Sequence, residues 1–397
     1  MSRQGEGEVD ADHGRHEAEP REHALLQARR QPPPEGNAER RADEHRADVE
    51  EGADHVMRQD GRPMAAVDVL IVSLGSTAGL RASDAELAGA LRRAGAQVQV
   101  VAAKAPREVR TYGLTDLAWA RAARVAAASA IAAHAPRAVV YSTVTAALLW
   151  PRPGAIRYDA PAAANRPGRH GAWQRPLERR RLRQAPLLVA VDPGTLAETP
   201  RPHAQAIVVP IPVEPSPTTG APRDLAAITY AANPEKKGLD RVLAAWTRAR
   251  IDGEQLVVAG ADLRIDAPGV RVAGRMEPAT YRALLRRARV FVTAPRREDY
   301  GIAQLEALAD GCVLVTTAAP GPYAALPLAR ILDPRLVVER DDGGPGLARA
   351  LRIALDLTPA DYAQRAHAAV APFRRDAVDA VVRDELLPRL LNSALGR

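Results

Sequence analysis

The residues best suited to chemistry stand in one run, Ala294-Pro295-Arg296-Arg297-Glu298-Asp299-Tyr300-Gly301-Ile302-Ala303-Gln304-Leu305-Glu306. Glu298 falls in a loop after an apolar strand, and Glu306 lies roughly two turns further on, in the helix that the loop opens. An ionised carboxylate accepts two hydrogen bonds and suits vicinal hydroxyls, which a sugar ring and a ribose both offer. The amides around Tyr300, Gly301 and Ile302 start a helix; such amides lack intrahelical partners and, with the helix dipole, receive phosphate. Carboxylates for hydroxyls beside amides for phosphate make a coherent site for a nucleotide-sugar. Spacing alone equally allows Glu298 and Asp299 to cap the helix while Glu306 is solvated.

Such groups must be held at the ends of strands, and the chain offers two alternating series. In the first, Val67–Leu74, Gln97–Ala102, Ala138–Ser142, Ala155–Tyr158 and Leu187–Val191 read as strands, with residues 207–213 ending the half. Helices are expected over Ser83–Ala94, with Ser83 as the candidate cap, over Thr115–His134 and over Trp173–Gln184. In the second, strands are expected at Ala226–Tyr230, Gln255–Ala259, Val270–Val272, Val290–Thr293, Val313–Thr316 and Leu336–Val338. Its helices fall at Gly238–Arg248, Pro278–Arg287, Gly301–Ala309, Gly344–Leu355, Pro359–Val370 and Ala377–Leu395. Near-continuous apolar strands alternating with helices indicate an α/β chain with parallel sheets covered on both faces. Two such halves, Rossmann-like in outline, would face a cleft with their strand carboxyl ends.

The expected organisation is a disordered leader over 1–63, a first domain over 64–213, a linker over 214–224, a second domain over 225–375 and a terminal helical segment over 376–397. The leader is rich in charge, His and Pro, and Ala24-Leu25-Leu26 is its one notable apolar cluster, too little to offset ordering entropy. Its histidines, His13, His16, His23, His45 and His55, read as part of an unstructured extension and not as a metal tail. Met64, directly before the first strand, is a candidate true start.

Composition removes several classes. The net charge of +7 and pI near 9.9 follow a general richness in Arg, so nucleic acid is not the expected partner. Cys312 is the only cysteine, which rules out an intrachain disulfide and a thiolate-rich metal site. Within Cys312-Val313-Leu314-Val315 it reads as a buried small hydrophobe. No apolar run reaches the roughly 18 residues of a membrane span, and no signal segment opens the chain, so the cytoplasm is the expected location. Gly75-x-x-x-Gly79 lacks both the dinucleotide glycine spacing and an acidic ribose partner, against a nicotinamide or flavin function.

The Glu298-to-Glu306 run resembles the Glu-x7-Glu signature of the retaining glycosyltransferases of group 1, or GT4, with two-Rossmann-domain (GT-B) architecture. The likeness extends over most of residues 67–375 and is strongest from Ala226 to Thr317. It implies that Glu298 contacts donor-sugar hydroxyls and Glu306 holds the ribose. In Tyr230-Ala231-Ala232-Asn233-Pro234-Glu235-Lys236-Lys237-Gly238, Lys237-Gly238 matches the family's lysine-glycine pair, whose lysine offsets charge on the leaving diphosphate. The family's arginine is absent; Ala232-Asn233 stands there, and either Lys236 or another arginine compensates or diphosphate binding is weakened. Read without the family, Lys236 and Lys237 are as readily a solvated helix start. Val272-Ala273-Gly274-Arg275 resembles the loop that contacts the base, which makes the backbone near Arg275 and Met276 the candidates. Where members often carry a histidine near the transferred sugar, this chain reads Arg157-Tyr158-Asp159; Asp159 and His170 are the substitutes, His170 also reading as a solvated loop residue. Ala319-Pro320-Gly321-Pro322-Tyr323 replaces a glycine-rich loop.

The resemblance implies hexosyl transfer from a nucleotide diphosphate-sugar with retained configuration, without a side-chain nucleophile or cofactor, and the chain lacks a clear Asp-x-Asp metal motif. The acceptor, a glycan, lipid or small molecule, would be read by the first domain. The run Arg166, Arg169, Arg175, Arg179, Arg180, Arg181 and Arg183 either faces an anionic lipid or glycan, giving peripheral membrane contact, or is a solvated helix face. Two competing functions are a degraded, partner- or nucleotide-binding relative, and a sugar-nucleotide epimerase.

Overall fold

The computed structural model describes residues 67–106, 112–165, 168, 171–217, 222–339 and 344–395. The expected leader, Met64, Arg166, Arg169 and His170 lie outside the described residues. The first series forms β1 (Val69–Ser73), α1 (Ala78–Arg93), β2 (Val98–Ala102), α2 (Tyr112–His134), β3 (Ala138–Tyr141), α3 (Val144–Ala147), β4 (Ala155–Tyr158), α4 (Ala162–Asn165), α5 (Gln174–Gln184), β5 (Leu188–Ala190), α6 (Pro193–Glu198) and β6 (Ala206–Val208). The second forms β7 (Leu225–Tyr230), α7 (Leu239–Ala249), β8 (Leu256–Ala259), β9 (Val270–Gly274), α8 (Pro278–Arg287), β10 (Ala288–Thr293), α9 (Ile302–Ala309), β11 (Val313–Thr317), α10 (Ala325–Leu332), β12 (Val337–Val338), α11 (Pro345–Asp356) and α12 (Pro359–Ala369). The chain closes with α13 (Arg375–Val381), a π-helical turn (Val382–Leu386) and α14 (Leu387–Leu395).

Each series makes one six-stranded sheet, ordered β2-β1-β3-β4-β5-β6 and β12-β11-β10-β7-β8-β9. All pairings are parallel, with Val69 opposite both Val98 and Ala138 and with Phe291 opposite Ile228. Strands such as β1 and β3 are buried at every position, as the unbroken apolar runs require when helices cover both faces. α7 turns Leu239, Val242, Ala245, Trp246 and Ala249 to its sheet, a stripe at helical spacing with Trp246 wholly enclosed.

α1 begins earlier than the sequence reading placed it. Thr77, not Ser83, is its cap, accepting from Leu80 N at 3.2 Å, while Ser83 lies buried within the helix. Gly79 is therefore helical, and of the two glycines in that turn only Gly75 takes a left-handed conformation. The short helices α3, α4, α6 and α10 had no sequence counterpart; α3 and α4 span a single turn and α10 contains Pro327, so none carries a periodic stripe long enough to read.

The last elements cross back to the first sheet. Val378, Val382, Leu386 and Leu390 are buried in one cluster with Val69, Ile71, Leu91, Val140 and Val189. Arg93 reaches Asp379 at 2.6 Å and Arg375 reaches Glu86 at 3.2 Å, so apolar burial and charge pairing fix the same crossing.

Candidate functional site

In an open parallel sheet, ligands bind outside the strand carboxyl ends where the strand order reverses. In the second sheet that point lies between β7 and β10, which are paired neighbours. β7 leads into Ala231–Gly238 and β10 into Ala294–Gly301, so the fold brings the two polar segments side by side. Both following helices start from a left-handed glycine, Gly238 at φ 63° and Gly301 at φ 86°. A Cβ on Gly238 would lie 2.8 Å from the carbonyl carbon of Ala294 and nearer still to its oxygen, so bare backbone is what permits this approach. Arg296 N donates to Lys236 O at 2.9 Å and ties the two loops together.

Lys237 Nζ donates to Glu298 Oε2 at 2.6 Å, and Gln304 Nε2 donates to the same oxygen at 3.0 Å. The Glu298 side chain is only 5% exposed, so this pairing replaces most of its hydration. Pro320 O accepts from Glu298 N at 3.0 Å, and Gly321 lies against the Glu298 carbonyl; the segment that departs from the family pattern roofs the first glutamate. Tyr323 anchors that segment, its hydroxyl 2.5 Å from Thr316 Oγ1 and its ring 3.1 Å from where a Gly301 Cβ would stand. Beside this centre, Lys236 Nζ is 2.5 Å from Asp299 Oδ2, and Arg297 Nε is 2.7 Å from Asp299 Oδ1. Burial acts to raise the Asp299 pKa, but Lys236 and Arg297 hold it below the usual carboxylate range.

The first half meets this cluster directly. Arg297 Nη2 bonds Glu198 Oε2 at 2.6 Å, from the last residue of α6, and Gly194 lies against Pro322. Asp159, just past β4, presents its side chain at the same edge. Desolvation raises its pKa, with the Asp299 charge adding and Lys236 opposing. Its carbonyl accepts from Thr195 Oγ1 at 2.7 Å, which fixes α6 beneath it. Tyr300 is buried and exchanges hydrogen bonds with the backbone of Ile211, accepting at 2.9 Å and donating at 3.1 Å. Its side chain therefore joins the halves; only its backbone remains for a ligand. Arg157 turns away to the buried Asp84, at 3.8 Å, and to Ser83 Oγ, at 2.7 Å.

Glu306 stands apart from the lysine centre. Its Oε1 is 3.5 Å from Arg282 Nη1, and desolvation raises its pKa, Arg282 opposing the shift. Tyr230, at the end of β7, packs on Tyr281 with ring centroids 5.2 Å apart, and its pKa is raised by burial and by the Glu306 charge. Arg275 is exposed near this edge, its backbone N donating to Asp262 Oδ1 at 3.0 Å. Gly301 and Ile302 begin α9, where the first amides have no intrahelical acceptor. The fold thus gathers Lys236, Lys237, Glu298 and Asp159 in one cluster, and Glu306, Tyr230 and Arg275 in another.

Gln304, Arg297, Glu198 and Arg282 escaped the sequence reading. Gln304 had a signal, sitting on the same helix and between the two glutamates; the others act across long sequence separations. Cys312 is buried as expected, and burial pushes its thiol up to about 12.

Arg282 also forks onto Asp310, at 2.9 and 2.8 Å, and donates to Glu214 O at 2.8 Å, while Ser216 caps the same carboxylate through N and Oγ. Asp310 is 1% exposed at its side chain. Arg282→Ala is expected to cost about 2–4 kcal/mol, because a buried carboxylate loses its counter-ion while keeping two Ser216 bonds. Denaturant unfolding of the variant checks this.

Residues 224–356 match the Glycosyl transferases group 1 family. Sucrose-phosphate synthase (tll1590) from Thermosynechococcus elongatus is a structural neighbour at TM-score 0.61 and 16% identity, covering 83% of this chain and 100% of its own. Anabaena Alr3699/HepE, solved with UDP and glucose, gives 0.55 and 14%, covering 81% and 99%. A structure described as trehalose-6-phosphate from E. coli bound with UDP-2-fluoro glucose gives 0.60 and 12%, covering 81% and 99%. No curated protein matches the chain. At such identities the neighbours speak for the fold, the GT-B architecture expected from sequence, and the group 1 domain with that fold supports a transferase.

Proposed function

We propose that the chain is a retaining, GT4-type glycosyltransferase, taking a sugar from a nucleotide diphosphate-sugar to an acceptor hydroxyl. The observation that carries this reading is the Lys237–Glu298–Gln304 centre at the reversal point of the second sheet. Both bonds to Glu298 end on Oε2, which leaves Oε1 for donor-sugar hydroxyls. Lys237 then offsets the charge that grows on the departing diphosphate, and the α9 amides receive phosphate. Glu306, whose charge is felt by Tyr230, holds the ribose, and the backbone near Arg275 meets the base. Residues 225–375 form the donor domain and 64–213 the acceptor domain, joined by the linker 214–224, with Asp159 and His170 on the acceptor side. The acceptor oxygen forms its bond to the anomeric carbon on the face from which the diphosphate leaves, and its proton passes to the leaving phosphate oxygen. Titrants that neighbouring folds were solved with make a uridine nucleotide the first donor to try.

Isothermal titration of the full chain with UDP, GDP and ADP tests the reading. One nucleotide is expected to bind, and Glu306→Ala is expected to weaken it about 10-fold or more, the value of hydrogen bonds to a charged acceptor. Folded protein that binds none of the three would favour the degraded, partner-binding alternative, which the missing arginine at Ala232-Asn233 already motivates.

A further inference from the structure

Three cations and three carboxylates meet at the site: Lys237 on Glu298, Lys236 on Asp299, and Arg297 on both Asp299 and Glu198. Each of these cations is already held by a carboxylate, so a diphosphate arriving there needs one to be released. Glu298 is fixed by Lys237 and Gln304, and Asp299 is held by Arg297 of its own loop and by Lys236 of the loop after β7. Glu198 alone belongs to the other half. It ends α6 and accepts from both terminal guanidinium nitrogens of Arg297, at 3.3 and 2.6 Å, in the forked geometry that Arg also uses for phosphate. Arg297 is 19% exposed and precedes Glu298 directly, and Ala232-Asn233, just after the neighbouring strand β7, brings no cation of its own.

We propose that Glu198 occupies the place of a donor phosphate on Arg297, and that Arg297 passes from Glu198 to the diphosphate when the nucleotide binds. This rests on the donor-site reading above. Arg297 thereby supplies the second cation, and Glu198 couples nucleotide uptake to parting of α6 from the β10 loop. Holding Arg297 on a carboxylate in this way weakens binding of a free nucleoside diphosphate until Glu198 lets go.

The test is titration of the full chain with whichever of UDP, GDP and ADP it binds, using Glu198→Gln, Arg297→Gln and the double variant, each checked for folding by circular dichroism. Glu198→Gln keeps shape and removes charge; it is expected to tighten binding about 3–10-fold, the scale of a freed charge pair in a partly exposed site. Arg297→Gln is expected to weaken it about 10-fold. The double variant should bind as Arg297→Gln does, because the gain exists only through Arg297. Unchanged affinity in both single variants, or a Glu198→Gln gain that persists in the double variant, overturns the proposal and leaves the donor site standing. Absence of binding in both the parent chain and Glu198→Gln overturns the two together, whereas binding gained only in Glu198→Gln supports both.

Discussion

Lys237→Met is expected to lower sugar transfer by about 10²–10³-fold, the loss that follows removal of one charge-stabilising donor from a closed site. The methionine keeps an unbranched chain one atom shorter but leaves Glu298, 5% exposed, with Gln304 as its remaining partner. Stability should fall as well, by about 3 kcal/mol, since an uncompensated buried carboxylate is what remains. Two effects in one variant need separating. The double variant Lys237→Met/Glu298→Gln removes the stranded charge, so its melting temperature should recover while transfer stays lost. Recovery of both would mean that Lys237 serves only to neutralise Glu298, and the role at the diphosphate would have to be dropped.

Gly238→Ala is expected to be the most damaging single-methyl change near the site. Its φ of 63° is costly for any L side chain, and the new methyl would run into the Ala294 carbonyl at the end of β10. Strain and displacement together should cost about 2–5 kcal/mol. Because Lys237 adjoins this glycine and Glu298 follows Ala294, nucleotide affinity should fall with stability. Gly253→Ala is the control. It shares the left-handed conformation, φ 88°, but nothing lies within 4 Å of its Cβ position, so about 1–2 kcal/mol is expected and affinity should hold. Equal losses in the two variants would show that backbone conformation alone matters and that the close approach of the loops does not.

How much of this was written locally in the chain depends on the range of each interaction. Strands such as Val69–Ser73 and Val313–Thr317 announce themselves by the unbroken apolar runs Val69–Val72 and Val313–Val315, as burial on both faces demands. The pairing of a loop glutamate with a helical one was legible from spacing along a single segment. The partner of Arg297 was not, since Glu198 lies in another half and nothing near either residue specifies the match. The same holds for Asp310 and Ser216, which lock the connecting segment to α9's end. A cap was misplaced at Ser83 because Thr77 and Ser83 offer the same chemistry, and only the packing of α1 decides between them. The replacement of the glycine-rich loop was visible, but its seat over Glu298 depends on Gly321 and on the anchoring of Tyr323.

The return of the last helices to the first sheet has a consequence for how the protein is made. A ribosome delivers β1, β3 and β5 before the second series, yet the side chains that cover one face of them, Val378, Val382, Leu386 and Leu390, emerge only after it. Through most of synthesis the nascent first half must therefore keep an apolar face uncovered, open to chaperones or to other chains. A stop codon placed before Arg375 should give a truncated product that precipitates, and supplying residues 375–395 as a separate peptide during refolding should restore soluble yield.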